Sequence, residues 1–460
     1  MPDRQPVRLP LVIGPENRDE TTNRDARLVN GFLEKISEES VMVFKRPGLE
    51  VYSNSGTPAA GLGIFYWEGA VYAIWGDKLF KDNVAVSGTV DTTNGVYSFS
   101  SCLGGTPKLF MNNGVKAYTY DTTNGLVQVT DTDFPSAAVK GSAYLDGTTY
   151  VMDIKANIYG SAINDPQTWD PTNLIKAQIE PDGGVALAKQ LVYVVAFKEW
   201  SVEVFYDAGN ATGSPLASVQ GAKVSVGCRS AGTLQEMEGT LFWVAQARSG
   251  SVSVMAMTGL KAIQISTAPV DRLLEDADFA GVKSWTAKMS GHKWYGLTVP
   301  SVNKTLVYDV NLQRWYEWTD TSGNYLRLIS STFSPSQHPL VQHSNDGIIY
   351  NFEDMMYTDN GELFSVDLYT PNYDGGTRLK KYMLSIDFIG DQTNGSIVQI
   401  RKSDDDYQTW SNFRNVDMST HRPRITQCGS FRRRAHHLRH RCNTPFRIQA
   451  LEMQIELGTL

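Results

Sequence analysis

Cysteine is scarce. Four residues in 460, Cys102, Cys228, Cys428 and Cys442, build no disulfide framework, and no C-x-x-C pair occurs. A reduced protein assembled in a cytoplasm is the expectation. Long hydrophobic runs are missing too. No stretch approaches the roughly 18 apolar residues of a membrane helix, so membrane insertion is not expected. Residues 1–20 have no uninterrupted apolar h-region, so no cleaved secretory signal is expected either. The chain lacks G-x-x-x-x-G-K-[ST], H-E-x-x-H and G-x-S-x-G. Gly61-Leu62-Gly63 begins like a dinucleotide fingerprint but has no third glycine and no following helix. Acids number 49 in the chain, yet none falls between Met418 and Leu451.

That acid-free stretch carries eight arginines: Arg422, Arg424, Arg432, Arg433, Arg434, Arg439, Arg441 and Arg447. Four histidines join them, His421, His436, His437 and His440. The whole chain has net charge −7, so a long acidic body ends in one basic block. Such asymmetry fits docking onto nucleic acid or onto an acidic protein surface. The plain alternative is a solvated basic strand pair. Phe431, Ala435 and Leu438 also have the spacing of a short helix, although strands are preferred. Cys428, His436, His440 and Cys442 are zinc ligands by type. Their spacing matches no zinc finger, and neighbouring arginines repel a divalent cation, so ordinary buried or solvated residues are expected.

Strand signals dominate the rest. Aromatics are plentiful, with 10 Trp, 21 Tyr and 18 Phe, and glycine reaches 39. Ten Asn-Gly or Asp-Gly pairs, at Asn30, Asn94, Asn113, Asn124, Asp146, Asp182, Asp346, Asn360, Asp374 and Asn394, suit hairpin turns that need positive φ. DTTNG occurs at 91–95 and again at 121–125, with DQTNG at 391–395. A turn glycine opens an aromatic strand at Gly69, Gly114, Gly147, Gly239, Gly291 and Gly347. Lys189–Tyr193 fits the same pattern without its glycine, and over these seven positions the average step of about 46 residues is near that of a four-stranded propeller blade. The expectation is an all-β chain with a β-propeller of six or seven blades. Its divisions are an N-terminal extended arm with first strands (1–57), the propeller (58–357) and a β-sandwich-like C-terminal domain with the Arg-rich block (358–460). A β-sandwich array would give similar turn spacing. One helix is expected at 269–275, with Asp271 as candidate N-cap and Leu273 and Leu274 facing a core. The last strand, 446–457, slips phase once, so a β-bulge is expected near Ala450.

Ser403, Asp405, Thr409 and Trp410 match the Asp-box S-x-D-x-G-x-T-W, with Tyr407 in place of the glycine. This reads as a pinned hairpin turn with the Trp packed beneath it. It does not supply the placed carboxylate pair that glycoside hydrolysis needs.

Several segments, taken in order, resemble the packaged-DNA stabilisation or tail-hub (nozzle) proteins of short-tailed bacteriophages. They are Arg27-Leu28-Val29-Asn30 with Lys45-Arg46-Pro47-Gly48-Leu49, then Gly69-Ala70-Val71-Tyr72 with 76–81. Next come Glu180-Pro181-Asp182-Gly183-Gly184 with 193–197 and 200–205, then 228–232 with 239–244. Last is the basic 431–441 block running into Thr444-Pro445. Residues 267–359 add strand texture only. The resemblance implies a homo-oligomeric ring, six-fold, below the portal and the head–tail adaptor protein of the virion, assembled in the host cytoplasm. The ring would retain packaged DNA, anchor tail fibre or spike proteins, and pass double-stranded DNA without sequence-specific contacts. It implies no catalytic residue, no cofactor and no metal. A channel that lets DNA slide should not grip phosphates, because each neutralised phosphate adds salt-dependent affinity. The arginine block is therefore expected to face a partner protein or neighbouring subunit, where Arg pairs carboxylates bidentately. Two other readings stand beside this one: a carbohydrate-binding, sialidase-like propeller, and a nucleic-acid-binding protein using the arginine block.

Overall fold

The computed structural model describes residues 5–9, 11, 26–37, 40–334 and 339–458. Most of the residues between 10 and 25, in the expected arm, lie outside that set.

Seven sheets radiate from one axis. Blades 1 to 6 occupy residues 61–85, 98–128, 143–176, 184–218, 227–264 and 283–318. Blade 7 takes three strands from 328–353, and its fourth is Gly48–Asn54, paired antiparallel with Ile348–Glu353. The chain then enters the inner strand of blade 1, so an N-terminal strand closes the ring. The inner edges of blades 7 and 1 are also tied directly. Gly63 N donates to Gln342 Oε1 at 2.8 Å, Tyr66 N to Thr332 Oγ1 at 2.8 Å, and Gln342 Nε2 to Ile74 O at 2.9 Å.

Successive side chains on a strand point to opposite faces, and each blade is sandwiched, so both sets are buried. Ala70–Trp75 is buried at every position. In blade 5, Phe242 stacks on Tyr295 of blade 6 with centroids 5.3 Å apart, while its neighbour Trp243 meets Phe197 of blade 4 at 5.1 Å. That two-sided burial is why the strands read as continuous apolar runs rather than as alternation. Type I′-like turns join inner and second strands at Glu68-Gly69, Asp146-Gly147, Glu238-Gly239 and Ser290-Gly291, each with both φ positive. Gly114 and Gly347 instead open the third strands of blades 2 and 7. The glycine rhythm therefore marks blades in two different phases.

The C-terminal residues form a two-sheet sandwich. One sheet orders Gly31–Ser37, Ser40–Lys45, Arg447–Leu457, Lys381–Gly390 and Arg424–Phe431, with Gln5–Leu9 also paired to Arg447–Leu457. The other is not separate from the propeller. Blade 6 continues through Arg27–Val29, parallel to Arg314–Trp318, into Val366–Tyr369, Ala435–His440, Ile397–Ser403 and Arg414–Asp417, nine strands in all. Strand pairing thus crosses both expected divisions, at 57/58 and at 357/358. Residues 27–54 contribute strands to blade 7 and to both sandwich sheets.

Two local readings are refined. The helix Ala268–Glu275 connects blades 5 and 6, but its N-cap is Thr267 and Asp271 sits in the first turn, accepting from Gln264 Nε2 at 3.0 Å. Pro269 starts the helix without losing a needed donor. The bulge in the last strand lies at Gln449: Ile389 pairs with Ala450 while Gly390 pairs with Ile448.

Candidate assembly surface

The arginines occupy strands Arg424–Phe431, Ala435–His440 and Arg447–Leu457 and the turns between them, with no helix. Most are already partnered. Arg422 and Arg424 converge on Asp387, and hold its carboxyl below the usual range. Arg433 meets Asp406 at 3.3 Å, and Arg447 meets Asp391 at 3.3 Å while lying over the Phe44 ring. Arg434 is wholly buried. Its Nε and Nη2 grip Asp404 at 2.6 and 2.8 Å, and Nη1 donates to Cys428 O at 2.8 Å. Arg439 joins Asp367 at 2.8 Å. Exposed Arg432 donates to Arg378 O at 2.7 Å. Arg441 is exposed and has no carboxylate partner among the described residues. Arg432 and Arg441 lie off opposite ends of the same strand, so the unneutralised charge does not gather in one patch.

On the outer face of the blade-6 sheet, cations and rings form a ladder. Arg27 lies over Tyr369 at 4.7 Å, and Tyr369 stacks on His437 at 4.0 Å. Arg401 covers Trp410 and Phe413 at 5.0 and 4.6 Å, and Arg439 covers Phe413 at 4.9 Å. His437 is held neutral. Burial lowers its pKa, and although Asp367 opposes this, Arg401 and Arg439 add to the lowering. Its Nδ1 accepts from Arg401 Nε at 2.8 Å, which leaves Nε2–H to donate to Asp367 Oδ1 at 2.6 Å. Burial alone would raise Asp367, yet the His437 bond and Arg439 bring it down to about 2.

The Asp-box-like turn is formed as a turn. Ser403 Oγ donates to Asp405 Oδ1 at 2.8 Å, and Thr409 N donates to the same oxygen at 2.9 Å. Thr409 hydrogen bonds pull Asp405 down to about 2. Trp410 packs against Tyr407 and Tyr369. Tyr407 adopts φ 64°, the left-handed conformation that glycine would take there, and is pinned by its hydroxyl donating to Thr370 O at 2.8 Å. The turn belongs to the sandwich hairpin after Ile397–Ser403, not to a propeller blade.

The phage stabilisation family described as bacteriophage P22 Gp10, β-propeller, matches residues 7–350. The chain belongs to this family. No curated protein matches it. Among solved structures, a streptogramin B lyase is similar at 11% identity and TM-score 0.42, over 67% of this chain and 98% of that one. Virginiamycin B lyase from Staphylococcus aureus shows 10% identity and TM-score 0.43, over 66% and 99%. The N-terminal domain of Nup159 shows 11% and 0.39, over 71% and 100%. Likenesses this weak carry no functional information.

Two of the segments that resemble the P22 Gp10 family carry buried polar nodes. At the first, Asn30 takes φ 56°, donates to Thr319 Oγ1 and Ser365 O, and accepts from Arg46 Nε at 3.0 Å. Arg46, fully buried, pairs Asp359 bidentately at 3.0 and 2.5 Å. A Cβ on Gly48 would run into the Thr358 carbonyl oxygen. At the second, Lys198 is clamped by Asp182 at 2.9 Å and Glu203 at 2.5 Å, all three side chains shielded from solvent. Neither node is visible as chemistry in the sequence: Asp359 lies beyond the matched residues 7–350, and Lys198, though within them, is brought to Asp182 and Glu203 only by the fold. Among the described residues no group of three or more His, Cys, Asp or Glu gathers to hold a metal. His436 and His440 point into the sandwich, and His440 Nε2 lies 3.1 Å from Ser396 Oγ.

Proposed function

We propose that this chain is a structural virion protein, a ring subunit of the tail hub or nozzle of a short-tailed phage. In this reading six copies close below the portal and adaptor, retain the packaged genome, carry fibres or spikes, and leave a passage for DNA ejection. The observation that carries it is the P22 Gp10 family match over residues 7–350. Two features of the fold support it. The nine-stranded sheet welds propeller and sandwich into one stiff body, which suits a load-bearing wall. The arginines that would make a nucleic-acid hook are largely neutralised by Asp387, Asp367, Asp391, Asp404 and Asp406, leaving a body of net charge −7 that repels DNA. The glycan reading loses its motive, because the Asp-box-like turn lies in the sandwich and serves packing.

The test is electron microscopy of the purified protein, alone and mixed with portal–adaptor complexes. The expected outcome is a ring, either free or assembled only on the adaptor. A protein that stays monomeric and ignores the adaptor overturns the proposal. Retention on double-stranded DNA that falls steeply with salt would favour the nucleic-acid reading instead.

A further inference from the structure

The inner strands of the seven blades enclose an axial cavity of about 680 Å³. Its charge is one-sided. The charged side chains among its lining are Lys140, Lys189, Lys283 and Glu236. Glu236 is already engaged, its Oε1 accepting the Gly239 N–H at 2.6 Å. Lys140 and Lys283 make no ion pair with any described residue.

Their placement is built into the fold. Lys140 precedes blade 3 and is held by Leu187 N donating to its carbonyl oxygen at 3.1 Å. The next residue, Gly141, has φ 100°, and a Cβ there would collide with the Leu187 carbonyl. Lys283 opens the inner strand of blade 6, Lys283–Met289, and its Nζ hangs over Gly232, 3.6 Å from where a Cβ would stand. Blades 3 and 6 stand across the axis from each other. Burial first, and then the charge of Lys283, together lower the Lys140 pKa to about 8. Burial also lowers Lys283. Hydroxyls of Ser98, Ser100, Ser142, Thr286 and Ser331 line the same space.

Two half-buried lysines without a counter-charge are an unfavourable arrangement for the empty protein. An anion between them removes the repulsion and restores the lost solvation. Two point charges lining one cavity from opposite blades, with the Ser100 hydroxyl and one of the Thr286–Ser331 pair left to donate, suit a multiply charged oxyanion. The volume is within the usual range of small-molecule sites. We propose that the propeller axis of this protein is a binding site for a phosphate-bearing anion held between Lys140 and Lys283. The proposal is independent of the tail-hub reading.

Isothermal titration calorimetry of the full chain with inorganic phosphate and with pyrophosphate tests it, in a chloride buffer of matched ionic strength. Saturable binding of at least one probe is expected. Lys140→Met and Lys283→Met should each weaken it by about tenfold or more. Both variants should melt no lower than wild type in chloride, because each removes a repulsion. That comparison separates lost binding from lost folding. Absence of saturable binding of both probes, or binding kept within about twofold in either folded variant, overturns the proposal.

Discussion

Arg432, Arg433 and Arg434 are consecutive in sequence and unlike in environment. Arg434 has no exposed surface, and its two forks to Asp404 and its bonds to Cys428 O and Ser430 O fix the hairpin. Arg434→Glu should therefore unfold or strongly destabilise the sandwich by placing like charge against Asp404, by about 3–5 kcal/mol. Arg432→Glu with Arg433→Glu should leave denaturation within about 0.5–1 kcal/mol of wild type, since exposed pairs are worth little. Urea denaturation reads both. If the double variant folds normally and still assembles at wild-type level, the arginine block is not an assembly surface. The block was legible as a charge anomaly, but its partners were not. The aspartates that neutralise it come from 367–406, and only the fold brings them onto the adjacent strands. Tyr407 is a similar case. The sequence shows a departure from the Asp-box, and the structure shows why it is tolerated: the strained φ is held by a buried hydroxyl. Tyr407→Phe should cost about 1 kcal/mol by removing that bond, measured as a shift in denaturation midpoint with unchanged m value.

At the level of elements, turn glycines and aromatic strands point to the propeller because a type I′ turn needs the positive φ that glycine supplies locally. Of the ten Asx-Gly pairs, however, only Asp146-Gly147 and Asn360-Gly361 have both φ positive, and the other I′-like turns between inner and second strands use Glu-Gly or Ser-Gly. The closure was not legible. The strand that completes blade 7 lies almost 300 residues before its partner, and a long-range pairing leaves no periodic trace. Its geometry makes a prediction at Gly48, where any side chain meets the Thr358 carbonyl. Gly48→Val should loosen Gly48–Asn54 from Ile348–Glu353, and hydrogen exchange should rise first in those two strands. Unchanged protection there would sink the closure argument. The strand Ala435–His440 makes a second one. Burial brings His436 to about 3, helped by Arg434 and Lys402, and brings His440 to about 3 with help from Lys45. In the unfolded chain both titrate near 6.5, so between about pH 6.5 and 3 the unfolded state binds more protons. Stability should then fall as pH drops below about 6.5, by about 1.4 kcal/mol per pH unit for each histidine. Asp367 and Asp405, both held at about 2, add their own loss only at lower pH, as it falls from the ordinary carboxylate pKa of about 4 to about 2. His436→Met should flatten the slope between pH 6 and 4.5 in a urea titration series, while a slope equal to wild type would show that His436 is not buried in its neutral form.

For the whole molecule, the decisive feature is that its two bodies share sheet, core and ion pairs. Blade 6 runs into the sandwich through Arg27–Val29. One hydrophobic cluster joins Trp285, Trp294 and Trp318 of blade 6 to Leu368, Leu438 and Met453 of the sandwich. Arg46 binds Asp359 beyond blade 7 and Thr319 O at the end of blade 6. Independent unfolding of the sandwich would expose that shared core and strand edge, so the two should melt together. A single calorimetric transition is expected, with equal calorimetric and van't Hoff enthalpies. Asp359→Asn, which leaves the buried Arg46 without its counter-charge, should lower stability by about 3 kcal/mol and keep the transition single. For the same reason residues 58–357 alone should not fold as a closed propeller, since they lack Gly48–Asn54. Addition of 26–57 alone should not rescue them, because Ser40–Lys45 pairs with the sandwich strand Arg447–Leu457. Two resolved transitions in the full chain, or a stable 58–357 fragment with native circular dichroism, would show that the propeller closes without its N-terminal strand and that the sandwich is an appended domain.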